Sequence, residues 1–190
     1  MDPRAEELAD FWLNEVGEKG WYLQDDALDA RIRERWLPLW EEARTGALDG
    51  WRCTPRATLA LLVLLDQFPR NMFRGDARAF ASDILARRIA KDAIMRGFDQ
   101  RTPLPERQFF YMPLEHSELP ADQDRAVRLM LLNFGRDSEM LRHARAHRGI
   151  IRRFGRFPFR NAALGRESRP QEVAFLAEGG YTAALKEVPA

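Results

Sequence analysis

The sequence predicts an all-helical protein, about eight helices arranged as antiparallel hairpins. Three observations carry this. Apolar residues recur at i, i+3 and i+4 in one segment after another. Proline and glycine stand between those segments as punctuation. No stretch keeps the two-residue alternation of a half-buried strand. The 190 residues fit one domain, and no low-complexity linker divides them. Hydrophobic residues make up 45 %, with 12 Phe and 5 Trp, enough to build a core without covalent staples.

The first helix is expected over Leu8–Val16, with Leu8, Phe11 and Trp12 on one face. Asp25 or Asp26 caps a second, reaching Ala43 through Leu28, Ile32, Trp36, Leu39 and Trp40, with a kink expected at Pro38. Thr54-Pro55 pairs an N-cap with proline at the first helical position. The helix it opens runs through Leu65 and is apolar nearly all round, so it should be central and buried. Asp76 caps the next, with a stripe of Phe80, Ile84, Ile89 and Ala93 closed by Gly97. Pro105 starts a short helix through Phe109, Phe110 and Met112, interrupted by Pro113. Ala121–Phe134 is amphipathic, and Ser138–Phe154 follows, closed by Gly155. Ser168-Arg169-Pro170 leads into a last helix, Glu172–Glu178, stopped by Gly179-Gly180.

Composition narrows the function classes. The longest apolar run, Leu59–Leu65, falls far short of the roughly 18 residues that cross a bilayer, and 31 % of the chain is charged, so no membrane span is expected. The N-terminus is acidic and lacks an apolar signal core. Cys53 is the one cysteine, which rules out an intramolecular disulfide and suits a reducing cytoplasm, the expected location. Residues 1–54 carry thirteen acidic and seven basic side chains, whereas residues 142–169 carry nine Arg against one Glu. That asymmetry makes either an anion-attracting surface or two ends that neutralise each other. With a net charge of +1 and no reading motif, nucleic acid is not the expected partner.

Phe68-Pro69-Arg70-Asn71 and Phe157-Pro158-Phe159-Arg160-Asn161 echo each other. In both, Phe-Pro is expected at a helix exit and Arg-Asn in the turn that follows. Two copies do not make a solenoid. The stretches Leu64–Phe80, Tyr111–Glu118, His147–Pro158 and Arg160–Ser168, in this order, resemble segments of the bacterial domain-of-unknown-function family 924. The resemblance runs from Phe11-Trp12 to Gly179-Gly180. It implies an all-α fold similar to the tetratricopeptide-like right-handed superhelical arrays, and it implies no activity. The family usually has His where this chain has Phe159.

Several polar residues stand where they need partners. Asp66 lies at the end of the helix expected to be most buried, where the macrodipole opposes a carboxylate, so it needs a cation such as Arg70 or Arg74. His116 sits between carboxylates in Glu115-His116-Ser117-Glu118, as a base would or as a turn-capping His would. His143 and His147 share a helix four residues apart, but no third ligand is recognisable, so no metal is expected. His147 falls in the stripe Met140, Ala144, His147, Ile151 and Phe154, and therefore faces inward. Arg160, Asn161, Arg166 and Glu167 form a loop that reads either as an ion-pair lock or as a ligand pocket. Phosphate-loop, dinucleotide and nucleophile-elbow motifs are missing.

The reading favoured by the sequence is a binding protein for a small anionic or zwitterionic ligand or a peptide terminus. Asp66, Arg70, Asn71, Arg74, His116, Glu118, His147, Arg160, Asn161, Arg166 and Glu167 would line its cleft, with no cofactor. Two alternatives stand beside it. One is a metal-independent hydrolase or lyase with His116 or His147 as base and Asp66 or Glu118 orienting it. The other is a protein-interaction scaffold. Neither the catalytic residues nor the oligomeric state follow from the sequence.

Overall fold

In the computed structural model, which describes residues 2–188, several helices begin where the sequence supplies a cap. Asp2 accepts the Arg4 amide at 2.9 Å, and Pro3 takes the first position of α1 (Pro3–Asp10), where a missing N–H costs nothing. The helix continues into a wider turn, Phe11–Val16, where the Gly17 amide reaches back to the Trp12 carbonyl, and ends in α2 (Gly17–Gly20). Asp25 accepts from Ala27 and Leu28 and opens α3 (Asp26–Arg44), with Pro38 inside it. Among the described residues there is no strand, and no helix is long and apolar enough to cross a membrane. The chain divides into two compact units, one up to Pro113 and one from Leu114 onward.

In the first unit, α4 (Pro55–Leu62) is the buried helix expected from the sequence, with Thr54 as its cap. Its end differs from the expectation. Pro69 does not stop the helix, which passes through a wide turn, Val63–Gln67, into α5 (Phe68–Met72). Pro69 has no N–H for the carbonyl of Leu65, four residues back. Ser82 supplies the missing donor: its hydroxyl bonds Leu65 O at 2.6 Å and accepts the Trp40 indole N–H at 3.0 Å. A second difference follows Asp76, which caps only a short turn, Ala77–Phe80. The helix proper, α6 (Asp83–Met95), starts later and buries Ala86, Ile89, Ala90 and Ala93, leaving Ile84 exposed. Aromatic rings fill the core. Phe68 meets Trp12 edge-on at 5.4 Å, and Trp21 meets Phe109 edge-on at 4.8 Å.

The second unit begins within α7 (Met112–Glu115), in which Pro113 occupies the first turn and costs no hydrogen bond. It contains α8 (Pro120–Phe134), α9 (Glu139–Phe154), α10 (Pro170–Ala177) and α11 (Tyr181–Glu187). Both α8 and α11 pack on α9. Ser138 caps α9 through the Leu141 amide at 3.2 Å, and Gly155 ends it at φ 72°, a left-handed conformation that suits glycine. Ile150, Ile151, Phe154, Phe157 and Phe175 form a core cluster, with Tyr181 and Ala184 packed against it.

Candidate functional site

The chain's three histidines gather in the second unit. His143 and His147 lie one turn apart on α9, and His116 follows the end of α7. The rings of His116 and His147 stand edge-to-face at 6.0 Å. Glu115, 4 % exposed, places Oε1 at 2.8 Å from His147 Nδ1. The carbonyl of His143 lies 2.9 Å from the same nitrogen. Both are acceptors, so Nδ1 carries the proton and donates. In the neutral ring the lone pair is then on Nε2. Among the described residues no group hydrogen-bonds that nitrogen, and the side chain is 13 % exposed.

The surroundings favour the ionised form of Glu115 and disfavour the charged form of His143. Burial works to raise the Glu115 pKa, but the facing His147, with His116 and His143 behind it, lowers it further, so the carboxyl is held below its ordinary value. Burial pushes the His143 pKa down, with His147 adding to this and Glu115 opposing it. Burial, then the Glu115 charge, pushes the Tyr181 hydroxyl up. His143 Nδ1 and the Tyr181 hydroxyl are hydrogen-bonded to each other. The hydroxyl keeps its proton, and since His147 Nδ1 at 3.5 Å already carries one, His143 Nδ1 is the ring nitrogen that can accept it. With Tyr181 as the donor, the two α9 histidines hold opposite tautomers. Phe157 stands edge-on to His147 at 5.5 Å, Tyr181 is tilted against it at 4.7 Å, and Phe159 stacks on Phe157 at 5.2 Å.

The remaining sequence-derived candidates have partners of their own. In the first unit Asp66, 1 % exposed, accepts from Gln67 and lies 3.5 Å from Arg70. Arg70 also forks onto Asp83 with both contacts at 3.0 Å. Asn71 and Arg74 both bind Asp29. In the second unit Arg166 forks onto Glu118 at 2.8 and 3.0 Å, and Glu118 also accepts the Phe157 amide at 2.8 Å. Asn161 donates to Ser168 and to Glu172, and the Asn161 carbonyl accepts the Arg166 amide. Arg160 is 6 % exposed with its guanidinium 4.5 Å from the Phe157 ring centre. The Glu167 side chain is exposed, while its carbonyl accepts from Arg156. Residues 160–169 are thus tied down by internal hydrogen bonds and ion pairs, anchored on Glu172, which is fully buried and forked by Arg156 at 2.7 Å twice.

Sequence reasoning named His116 and His147 but not their companions. Glu115 was visible only as a neighbour of His116, and Tyr181 carried no signal, because a lone Tyr after two glycines has many uses. Among the described residues no three of His, Cys, Asp and Glu are arranged to hold a metal ion.

Comparison with known proteins places the chain, not its site, in a family. The family model described as bacterial protein of unknown function, DUF924, matches residues 8–180. The structure of a protein of unknown function from Agrobacterium tumefaciens is similar at 44 % identity and a TM-score of 0.89, covering 93 % of this chain and 98 % of that one. No curated protein matches.

Proposed function

The chain belongs to the bacterial DUF924 family, and from that premise we propose that it is an enzyme, a hydrolase or lyase whose general base is His147. One observation carries this reading: the buried Glu115 carboxylate sits 2.8 Å from His147 Nδ1 while Nε2 has no partner among the described residues. A carboxylate that accepts from Nδ1 fixes the ring's tautomer and stabilises the imidazolium that forms when Nε2 takes a proton. Glu115 is thus a positioning residue and His147 the catalytic one. The aromatic rings of Phe157 and Tyr181 lower the local polarity and strengthen the pair. The guanidinium groups of Arg70, Arg74 and Arg166 are already engaged with carboxylates, so this reading is favoured over an anion cleft built from them.

The test is a screen of ester, amide, phosphoester and elimination substrates with the full chain and with His147→Gln. A turnover that His147→Gln reduces by about 10²–10⁴ supports the reading, the range expected for a lost general base. A turnover that survives His147→Gln intact removes the histidine from the chemistry.

A further inference from the structure

We propose that a groove between α9, α10 and α11 binds a small carboxylate with an apolar tail. The groove has a volume of about 230 Å³ and a floor of Ile150, Phe154 and Phe175. The two phenyl rings lie 4.9 Å apart. Ala184 and Val188 form the far wall. Arg145 and Arg153 stand on the rim, two turns apart along one line of α9, with Gly149 between them.

Three features point to this ligand class. First, among the described residues neither Arg145 nor Arg153 has a carboxylate partner, although Arg142, Arg148, Arg152 and Arg156 around them each have one. Arg153 instead lies over the floor, 4.9 Å from the Phe154 ring centre. Second, Gly149 interrupts a helix interior, where glycine is less favourable than alanine. Its φ is not positive, and nothing lies within 4 Å of where a Cβ would stand. Neither backbone strain nor close packing asks for glycine here, and Gly149 lines the groove with open space where a side chain would begin. Third, Glu187 on the opposite rim leaves the site one positive charge in excess, which matches a monoanion. The volume admits one ring or a short chain and is too small for a helix.

The site is independent of the acid–base reading, since His147 does not line it. The experiment follows backbone amide shifts of Gly149 and Ala184 during titration with octanoate and 3-phenylpropionate. Acetate tests charge without a tail, and 3-phenylpropionamide tests the tail without charge. Saturable shifts with both carboxylates are expected, with affinity at least about tenfold weaker for acetate and for the amide, as loss of a charge-assisted pair or of an apolar contact implies. Gly149→Leu, which fills the groove with a good helix former, and Arg145→Gln should each weaken binding about tenfold or more, while His147→Gln leaves it unchanged. The absence of saturable shifts with either carboxylate overturns the proposal, as does unchanged affinity in Arg145→Gln. Arg145→Gln decides the matter should Gly149→Leu fail to fold.

Discussion

Replacing Ser82 by alanine removes one hydroxyl that serves two buried groups. Ser82 is 2 % exposed and Trp40 fully buried, so neither the Leu65 carbonyl nor the indole N–H gains water when the hydroxyl goes. Each unsatisfied buried group costs about 1–3 kcal/mol, so the substitution should destabilise the first unit by about 2–5 kcal/mol. Urea denaturation followed by tryptophan fluorescence reads this unit selectively, because Trp12, Trp21, Trp36, Trp40 and Trp51 all lie in it. Pro69→Ala in the Ser82→Ala background should restore about 1 kcal/mol, because alanine supplies an N–H toward the same carbonyl. A Ser82→Ala loss below about 1 kcal/mol would refute the claim that this hydroxyl is what lets the helix run through Pro69.

Two further outcomes concern the second unit. Arg156 holds the Glu172 carboxyl at about 2, down from the ordinary 4.5. A depressed folded-state value means that its stabilisation is complete above pH 4.5 and is lost as the pH falls through about 2, so acid unfolding followed by circular dichroism should flatten across that window in Glu172→Gln. Gly155→Ala should cost about 1–2 kcal/mol in thermal or urea unfolding, because a left-handed alanine is strained. No atom lies within 4 Å of the added Cβ, so that cost is backbone alone, and a neutral result would mean that the α9 exit is not held at φ 72°.

Much of this architecture was legible from spacing and capping. The apolar run Leu59–Leu65 marked the buried α4, and the stripe through Ala144, Ile151 and Phe154 set the inner face of α9 and turned His147 inward. The details that escaped depend on contacts between residues far apart in sequence. Nothing near Pro69 shows that Ser82 will supply its missing donor, and nothing near Asp76 shows that the regular helix waits until Asp83. The candidate site divides the same way. His116 beside two carboxylates was readable as a local pattern, but the carboxylate that matters, Glu115, reaches His147 on another helix. The basic segment likewise could not announce its partners. Arg148 and Arg152 meet Asp124, Arg156 meets Glu172, and Arg166 meets Glu118.

The acid–base chemistry depends on which nitrogen of neutral His147 carries the proton, and nitrogen-15 imidazole spectroscopy of the intact chain reads that without a substrate. In the neutral form of His147 the proton should sit on Nδ1 and leave Nε2 bare, because Glu115 and the His143 carbonyl both face Nδ1. His143, whose Nδ1 accepts from Tyr181, should show the reverse and serves as the internal standard. Finding the proton of neutral His147 on Nε2 would contradict its role as the base, since a nitrogen that already holds a proton cannot accept one.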